Sequence, residues 1–350
     1  MSKRKLSIVG LMLAALILQA ACSRSKHSGL HMAMQNGKTG FIDSKGKVVI
    51  NPQFDSAFFF SEGLALVEVG NKASYINTKG EYVINPQYDA GLPFTEGLAG
   101  VRVEKKWGFI DKSGKMIISP QFENAEIFSD GLAAATTNKK VGFIDKTGKY
   151  VVNPQFDRAE AFGDGLAPAR VGTQWGFIDK AGKFVINPQF EEVRFGVPAA
   201  ALSGLSLGWP VAVKSNTRWG FIDKAGKYVI NPQFDEAMDF CDGLAAVKTG
   251  DKWGYVDTSG KMVINLQFES AGYFSDGLAP VSISKKWGYI DKTGKTVINP
   301  QFESALAFDE GLAQVTIKGT DSPILIGYID KTGKYVFNPT NPFASPTPTP

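Results

Sequence analysis

Apolar and polar positions alternate along this chain in short runs, and the runs keep returning. Gly243–Val247 (GLAAV), a short apolar run entered through Gly, reads as a strand. A polar turn, Lys248-Thr249-Gly250-Asp251, leads into Trp253-Gly254-Tyr255-Val256-Asp257. That run is rich in aromatic and β-branched residues, and it predicts a second strand. Next comes Asp-Lys-Thr-Gly-Lys, as at Asp145–Lys149, Asp291–Lys295 and Asp330–Lys334. Asp can bond its own downstream backbone and Gly supplies positive φ, so a tight hairpin turn is expected. Tyr150-Val151-Val152, Tyr228-Val229-Ile230 and Thr296-Val297-Ile298 then read as third strands. Asn-Pro-Gln-Phe stops them, because Pro cannot donate to a ladder and restricts its predecessor. The segment that remains, FDxAxxFxD, spaces Phe156, Ala159 and Phe162 three apart. This suits a helical turn and equally an irregular fourth strand.

The block repeats every 34 residues, with copies starting at Gly29, Gly63, Gly97, Gly131 and Gly165 and again at Gly243, Gly277 and Gly311. The copy between them is disturbed: Gly176 and Gly220 are 44 residues apart, and the last copy carries a five-residue insertion at 319–323. Nine copies at a fixed period predict a repeat architecture. One copy offers roughly six large apolar side chains, worth about 1.5–3 kcal/mol each on burial. Ordering its backbone costs on the order of 1–2 kcal/mol per residue. A single copy cannot fold alone, so stacking must supply the stability. The expected fold is all-β: nine tandem units of antiparallel strands, β-propeller-like, with an open β-solenoid or superhelical array as the alternative.

Five copies share a pair of residues: Trp107-Gly108, Trp175-Gly176, Trp219-Gly220, Trp253-Gly254 and Trp287-Gly288, each followed by F/Y-I/V-D. With the surrounding GLA, DKxGK and NPQF blocks, residues 29–340 resemble the WG (KWG) repeats of bacterial proteins. Thr39-Gly40, Ala73-Ser74, Val141-Gly142 and Ile326-Gly327 lack the Trp, and Ser74 replaces even the Gly. An aromatic dispensable in four of nine copies reads as packing rather than as a ligand reader. The resemblance implies a scaffold with no characteristic enzymatic activity.

Residues 1–21 read as an export signal: Lys3, Arg4 and Lys5, then an apolar stretch from Leu6 to Leu18 too short for a comfortable membrane span. The run ends Leu18-Gln19-Ala20-Ala21-Cys22-Ser23, which resembles a bacterial lipoprotein lipobox, with Gln19 departing from its usual aliphatic residue. The resemblance implies lipidation of Cys22, a tether over 22–28 and an extracytoplasmic, membrane-anchored protein of the cell envelope. Otherwise the chain is secreted or periplasmic.

Charge narrows the partners. Of 38 basic and 34 acidic residues, the signal takes three basic ones, leaving a nearly neutral mature chain without the electrostatic footprint of a nucleic-acid binder. Gly288 to Thr296 mimics a phosphate-binding loop, but five residues separate its glycines where that motif has four, so no nucleotide is expected. Asp111, Asp145, Asp179, Asp223, Asp257, Asp291 and Asp330 each sit at one turn position beside Lys, Thr or Ser, as turn parts rather than acid–base pairs or calcium ligands. The acids before each GLA (Asp130, Asp164, Asp242, Asp276, Glu310) read the same way. The two histidines, His27 and His31, are both N-terminal, which leaves catalytic triads and His-based zinc sites poorly supported. Beyond Cys22 the one remaining cysteine, Cys241, stands where other copies have Ser and reads as a small turn residue with no disulfide framework. No catalytic residue, metal or cofactor is expected.

The repeat breaks at 191–218, where Glu191-Glu192-Val193-Arg194-Phe195 and the apolar stretch from Val197 to Trp209 replace the consensus. Arg194, Phe195 and Trp209 are therefore the candidate binding residues, since insertions in repeats often map to the binding face. Residues 341–350 are a Pro/Thr-rich tail expected to be extended. The expected function is a non-enzymatic, monomeric scaffold for a protein or envelope component. A carbohydrate or peptidoglycan binder is the alternative, and it requires a row of exposed aromatics.

Overall fold

The computed structural model describes residues 28–194, 209–319 and 324–342. Within them the chain forms nine small antiparallel sheets arranged in a ring, a nine-bladed β-propeller, so the open-array alternative does not hold. Sheet 1 has three strands, β1 (Leu30–Gln35), β2 (Lys38–Asp43) and β3 (Val48–Phe54). The other eight have four strands each, in sequential order. They span residues 56–88, 90–122, 124–156, 158–190, 192–234, 236–268, 270–302 and 304–340, and are called sheets 2 to 9. Sheet 8 shows the pattern: Ser270–Ala271, Leu278–Ile283, Lys286–Asp291 and Thr296–Phe302.

Sequence copy and structural sheet are out of phase. The FDxAxxF segment, left open above between helix and strand, is a strand, and it pairs with the GLAxV of the following copy: Ala271 faces Val281, and Ala305 faces Val315. Each junction between sheets is thereby crossed by the chain itself. Sheet 1 lacks this first strand among the described residues, because no copy precedes it.

The turns follow from their residues. Between the first and second strands, Asp130-Gly131 and Asp276-Gly277 are two-residue loops with both φ positive, at 54° and 85° and at 54° and 84°. This is the mirror-image turn whose twist matches antiparallel strands. In the DKxGK hairpin the Asp carboxylate accepts two backbone N–H groups, as Asp145 does from Thr147 (2.8 Å) and Lys149 (3.1 Å).

The Gly of the WG pair answers to a close approach. Each WG strand carries a β-bulge there, and at Gly108 a Cβ would lie 2.7 Å from Pro120 N and closer still to the Ile118 carbonyl. WG and NPQF are thus two sides of one crossing. In sheet 2 Ser74 occupies this position, fully buried, with its hydroxyl donating to the Val67 carbonyl at 3.2 Å.

Packing between sheets repeats eight times with small variations. The F/Y after each WG pair meets the second Phe of FDxAxxF on the next sheet: Phe109 with Phe128 at 4.9 Å, Phe143 with Phe162 at 4.7 Å, Tyr289 with Phe308 at 4.8 Å. Tilted or edge-to-face pairs at these distances add to what area burial alone provides. Behind them the hairpin glycine of each sheet rests on the fourth-strand aliphatic of the sheet before, as Gly148 does on Ile118.

The short first strands pair a half-buried with a buried residue, as Ser270–Ala271 do, and the fourth strands expose most of their side chains, so the first lie at the inner edge of the ring and the fourth at its rim. Coupling between the first-strand segments of sheets 6 and 8, described below, agrees with this placement. The rim strands carry the Pro of NPQF, which blunts an exposed sheet edge against pairing with another chain.

Candidate functional site

The polar residues of the consensus are consumed by the scaffold. On one face of the ring, the acid before each GLA accepts the backbone N–H of the next sheet's Gly: Glu96 from Gly131, Asp130 from Gly165 (2.7 Å), Asp276 from Gly311 (2.7 Å). The first Lys of DKxGK reaches back to the same acid, as Lys112 does to Glu62 (3.0 Å) and Lys146 to Glu96 (3.2 Å). On the other face, the Asp of the FD pair receives a turn N–H and a Lys from the preceding sheet; Asp157 takes Gly172 N–H at 2.7 Å and Lys140 at 2.6 Å. Such exposed pairs contribute little energy each, but they fix the register of sheet on sheet. They leave no carboxylate pair of the consensus open to a ligand.

The WG tryptophans are equally engaged. Trp107, Trp175, Trp219 and Trp253 are between 3% and 9% exposed, and Trp287 is half-buried. Arg102, Arg170 and Lys248 lie over the Trp107, Trp175 and Trp253 rings at 5.6–6.0 Å, as cations do over an indole face. The row of exposed indoles that a glycan platform would need is not present among the described residues.

The disturbed copy divides its candidates. Trp209 fills the place of the missing Phe and packs on Phe177 of sheet 5 at 5.5 Å, so the inserted stretch restores the inter-sheet aromatic pair. Arg194 faces the other way. Its backbone N–H donates to Ala212 O at 2.9 Å, and its guanidinium lies 5.1 Å from the centre of the Trp219 ring, whose core cluster belongs to sheets 6 and 7. The two residues therefore lie on opposite faces of sheet 6 and do not form one site, contrary to a loop centred on both. Phe195 lies outside the described residues, as do Cys22, the 22–27 part of the tether, the signal and residues 343–350. Cys241 is buried and disulfide-bonded, which corrects its reading as a small turn residue with no disulfide framework.

What Arg194 does meet is a residue the sequence reading passed over. Asp239, on the first-strand segment of sheet 7, is 5% exposed, and neither carboxylate oxygen has a hydrogen-bond partner. Burial pushes its carboxyl up to about 6 against the opposing pull of the Arg194 guanidinium. Tyr273, at the equivalent place on sheet 8, is buried beside them. Burial first, then the Asp239 charge, raise its phenol, while Arg194 lowers it. Three consecutive sheets thus bring Arg194, Asp239 and Tyr273 together at the inner edge.

A second polar patch lies further round the same edge. Burial, then the Glu160 carboxylate, push Glu126 up to about 7, with Asn124 and Arg158 opposing. Burial raises Glu160 as well, against Arg158, whose guanidinium is 3.8 Å away. Laying the copies over one another would have found both patches. Glu126, Glu160 and Arg194 stand where sheets 2, 3, 7, 8 and 9 have Phe58, Leu92, Met238, Gly272 and Leu306. Asp239 stands where the others have Phe59, Pro93, Ile127, Ala161, Tyr273 and Ala307.

The family model described as "WG containing repeat" matches eight times, at residues 40–72, 74–107, 107–140, 142–172, 175–195, 219–253, 253–287 and 287–320. The chain belongs to the WG-repeat family. The matches leave 196–218 uncovered, the stretch where the sequence departs from the consensus. No curated protein matches this WG-repeat chain. Among solved structures it is similar to PorZ, a surface component of the type-IX secretion system of Porphyromonas gingivalis, at 9% identity and a TM-score of 0.37. That match covers 91% of this chain and 52% of the other, so the WG-repeat chain spans about half of that protein's length. It is also similar to Kluyveromyces lactis Hsv2, at 12% identity and a TM-score of 0.41, over 77% of this chain and 95% of that one.

Proposed function

We propose that this WG-repeat protein is a non-enzymatic, extracytoplasmic binding scaffold that engages a protein or another envelope component. The observation that carries the reading is the division of polar side chains. Those of the consensus are spent on joining sheet to sheet, whereas Asp239 and Arg194, each with buried polar atoms that have no hydrogen-bond partner, stand at inner-edge positions where the copies differ. A repeat ring of this kind is a rigid frame that presents a few variable positions from many sheets at once. The buried state of four of the five WG tryptophans removes the feature that a glycan platform would use.

Export of the chain and anchoring through a lipid on Cys22 complete the proposal, on the strength of the N-terminal pattern. The chain has two cysteines, so a lipid thioether at Cys22 and an intramolecular disulfide at Cys241 exclude each other. Non-reducing mass spectrometry of protein extracted from membranes decides this point. A mature chain starting at Cys22 with a diacylglycerol mass supports the anchor, and a chain at its unmodified mass overturns it.

The scaffold reading is tested by immobilising the mature ring, crosslinking it to an envelope fraction, and then titrating each captured component in purified form. Saturable one-to-one binding is the expected result. Failure of every purified component to bind overturns the reading.

A further inference from the structure

The inner edge of sheets 6 to 8 holds an unusual balance of charge. Asp239 is nearly inaccessible, yet both of its carboxylate oxygens lack a hydrogen-bond partner. A buried carboxylate left this way is costly, and native structures rarely tolerate one without a reason. Arg194 is near enough to act on Asp239 electrostatically but is not bonded to it. Its guanidinium is held over the Trp219 ring instead, with a buried Nε–H that also has no acceptor. A buried carboxylate with both oxygens unpartnered and a guanidinium with an unpartnered Nε–H thus lie within electrostatic reach of each other and of the Tyr273 phenol.

Both groups break the repeat. Arg194 is the one base at its position and Asp239 the one acid at its own among the described sheets, and they come from neighbouring sheets. Packing does not require them, since aliphatic or aromatic residues fill the same places elsewhere in the ring. Among the described residues no three His, Cys, Asp or Glu side chains converge as a metal site would need, which turns attention to an organic ligand.

We infer that this inner-edge pair is a recognition site for a zwitterionic ligand, an amino acid or short peptide with a free ammonium and a free carboxylate. The ammonium donates to the Asp239 carboxylate, satisfying its oxygens and offsetting its buried charge. The carboxylate accepts from the Arg194 guanidinium, including Nε–H, in the charge-assisted geometry that favours arginine over lysine. Tyr273 closes one side of the site. A neutral sugar would satisfy hydrogen bonds but leave both charges uncompensated, and a simple cation would be opposed by Arg194.

The inference rests on the scaffold reading and names a ligand class for it. Its test is calorimetric titration of the full mature protein with diglycine, N-acetyldiglycine, diglycine amide and glucose. Diglycine is expected to bind, and blocking either end is expected to weaken binding at least tenfold. D239N and R194M should each lose at least tenfold, while E126Q, at the other polar patch, should bind as the parent does. Absence of diglycine binding, equal binding of the blocked peptides, or a preference for glucose overturns the inference. If D239N fails to fold by circular dichroism, the blocked peptides and R194M still decide it. A protein that captures its envelope partner but ignores diglycine overturns this ligand class alone, and the scaffold reading survives.

Discussion

The Tyr328 hydroxyl donates to the Met32 carbonyl at 2.5 Å, joining the last sheet to the first across 296 positions of sequence. Tyr328 also stacks on His31 at 6.0 Å, in the place where every other junction has an F/Y ring on the next sheet's Phe or Trp. Around this contact Leu312 and Tyr328 share a small core with Ala33 and Ile42, and the Gly46 turn meets Val336. No strand is exchanged between the termini among the described residues, so the seam is held by side-chain contacts and by the hydrogen bond that the Gly37 N–H donates to the Pro342 carbonyl. Closure of the ring is expected to be its weakest junction. Y328F removes one bond of about 0.5–1.5 kcal/mol. In hydrogen–deuterium exchange, residues 30–35 and 335–340 should lose protection in Y328F while sheets 4 to 8 keep theirs. Uniform loss around the ring would show that the seam is no weaker than the rest.

Gly254 illustrates how the repeat is constrained. A Cβ there would fall within 2.9 Å of Leu266 N, and nearer to the Ile264 carbonyl, both backbone atoms unable to yield. Gly254→Ala is expected to destabilise the ring by about 1–3 kcal/mol, as overpacking does, with the urea midpoint as the measurement. Gly243→Ala offers the contrast. It meets open space but has φ of +86°, so its cost is conformational strain rather than a clash.

The strands and turns of the ring were legible because they rest on local chemistry. A short apolar run marks GLAxV, and Asp and Gly mark the hairpins, whereas NPQF, read as the stop of a strand, lies inside it, as in Thr296–Phe302. Ring closure was not legible, because Tyr328 and His31 meet through a geometry that no periodicity encodes. The FDxAxxF segment stayed open between helix and strand because its partner is the following copy rather than its own. For the site, the broken consensus pointed to Arg194, which the structure sets over the Trp219 ring, and to Trp209, which packs on Phe177. Asp239 was missed because it sits 45 residues from Arg194 inside a copy that otherwise looks regular. Only the ring brings the two together.

Stability should depend on pH with opposite signs at the two ends of the range. Glu126, raised to about 7 by burial and by Glu160, and Asp239, raised to about 6 by burial, bind their protons more tightly in the folded protein than in the unfolded chain. The stabilisation they bring is complete below their ordinary carboxyl values and disappears as pH rises through about 6 to 7. Glu160, Asn124 and Arg158 face Glu126, and Arg194 and Tyr273 face Asp239, so these groups set the size of the effect. The turn aspartates act the other way. Hydrogen bonds hold Asp111, Asp145, Asp257 and Asp291 below the usual range, led by the Ser113, Thr147, Ser259 and Thr293 side chains, so their contribution is lost only as pH falls below about 4. The ring should therefore be most stable near pH 4.5–5.5 and weaken toward pH 8. Thermal unfolding across this range should show the decline, and E126Q should flatten it. An unchanged slope in E126Q would mean that Glu126 is solvated in the folded ring.

The Arg194–Trp219 stack gives the last expectation. Arg194 sits 5.1 Å from the ring centre, and Lys214 of the same sheet lies 6.0 Å from it, so two cations share one indole face. Removing the guanidinium in R194M keeps the length of the side chain but leaves Asp239 with no opposing charge. The Asp239 carboxyl should then rise further, because burial acts without the pull that now lowers it. Double-mutant analysis separates this from simple loss of packing. R194M alone should destabilise more at pH 8, where Asp239 must ionise, than at pH 5, and R194M/D239N should recover most of that difference. If the loss is the same at both pH values, Arg194 contributes only its stack on Trp219, and its electrostatic hold on Asp239 is absent.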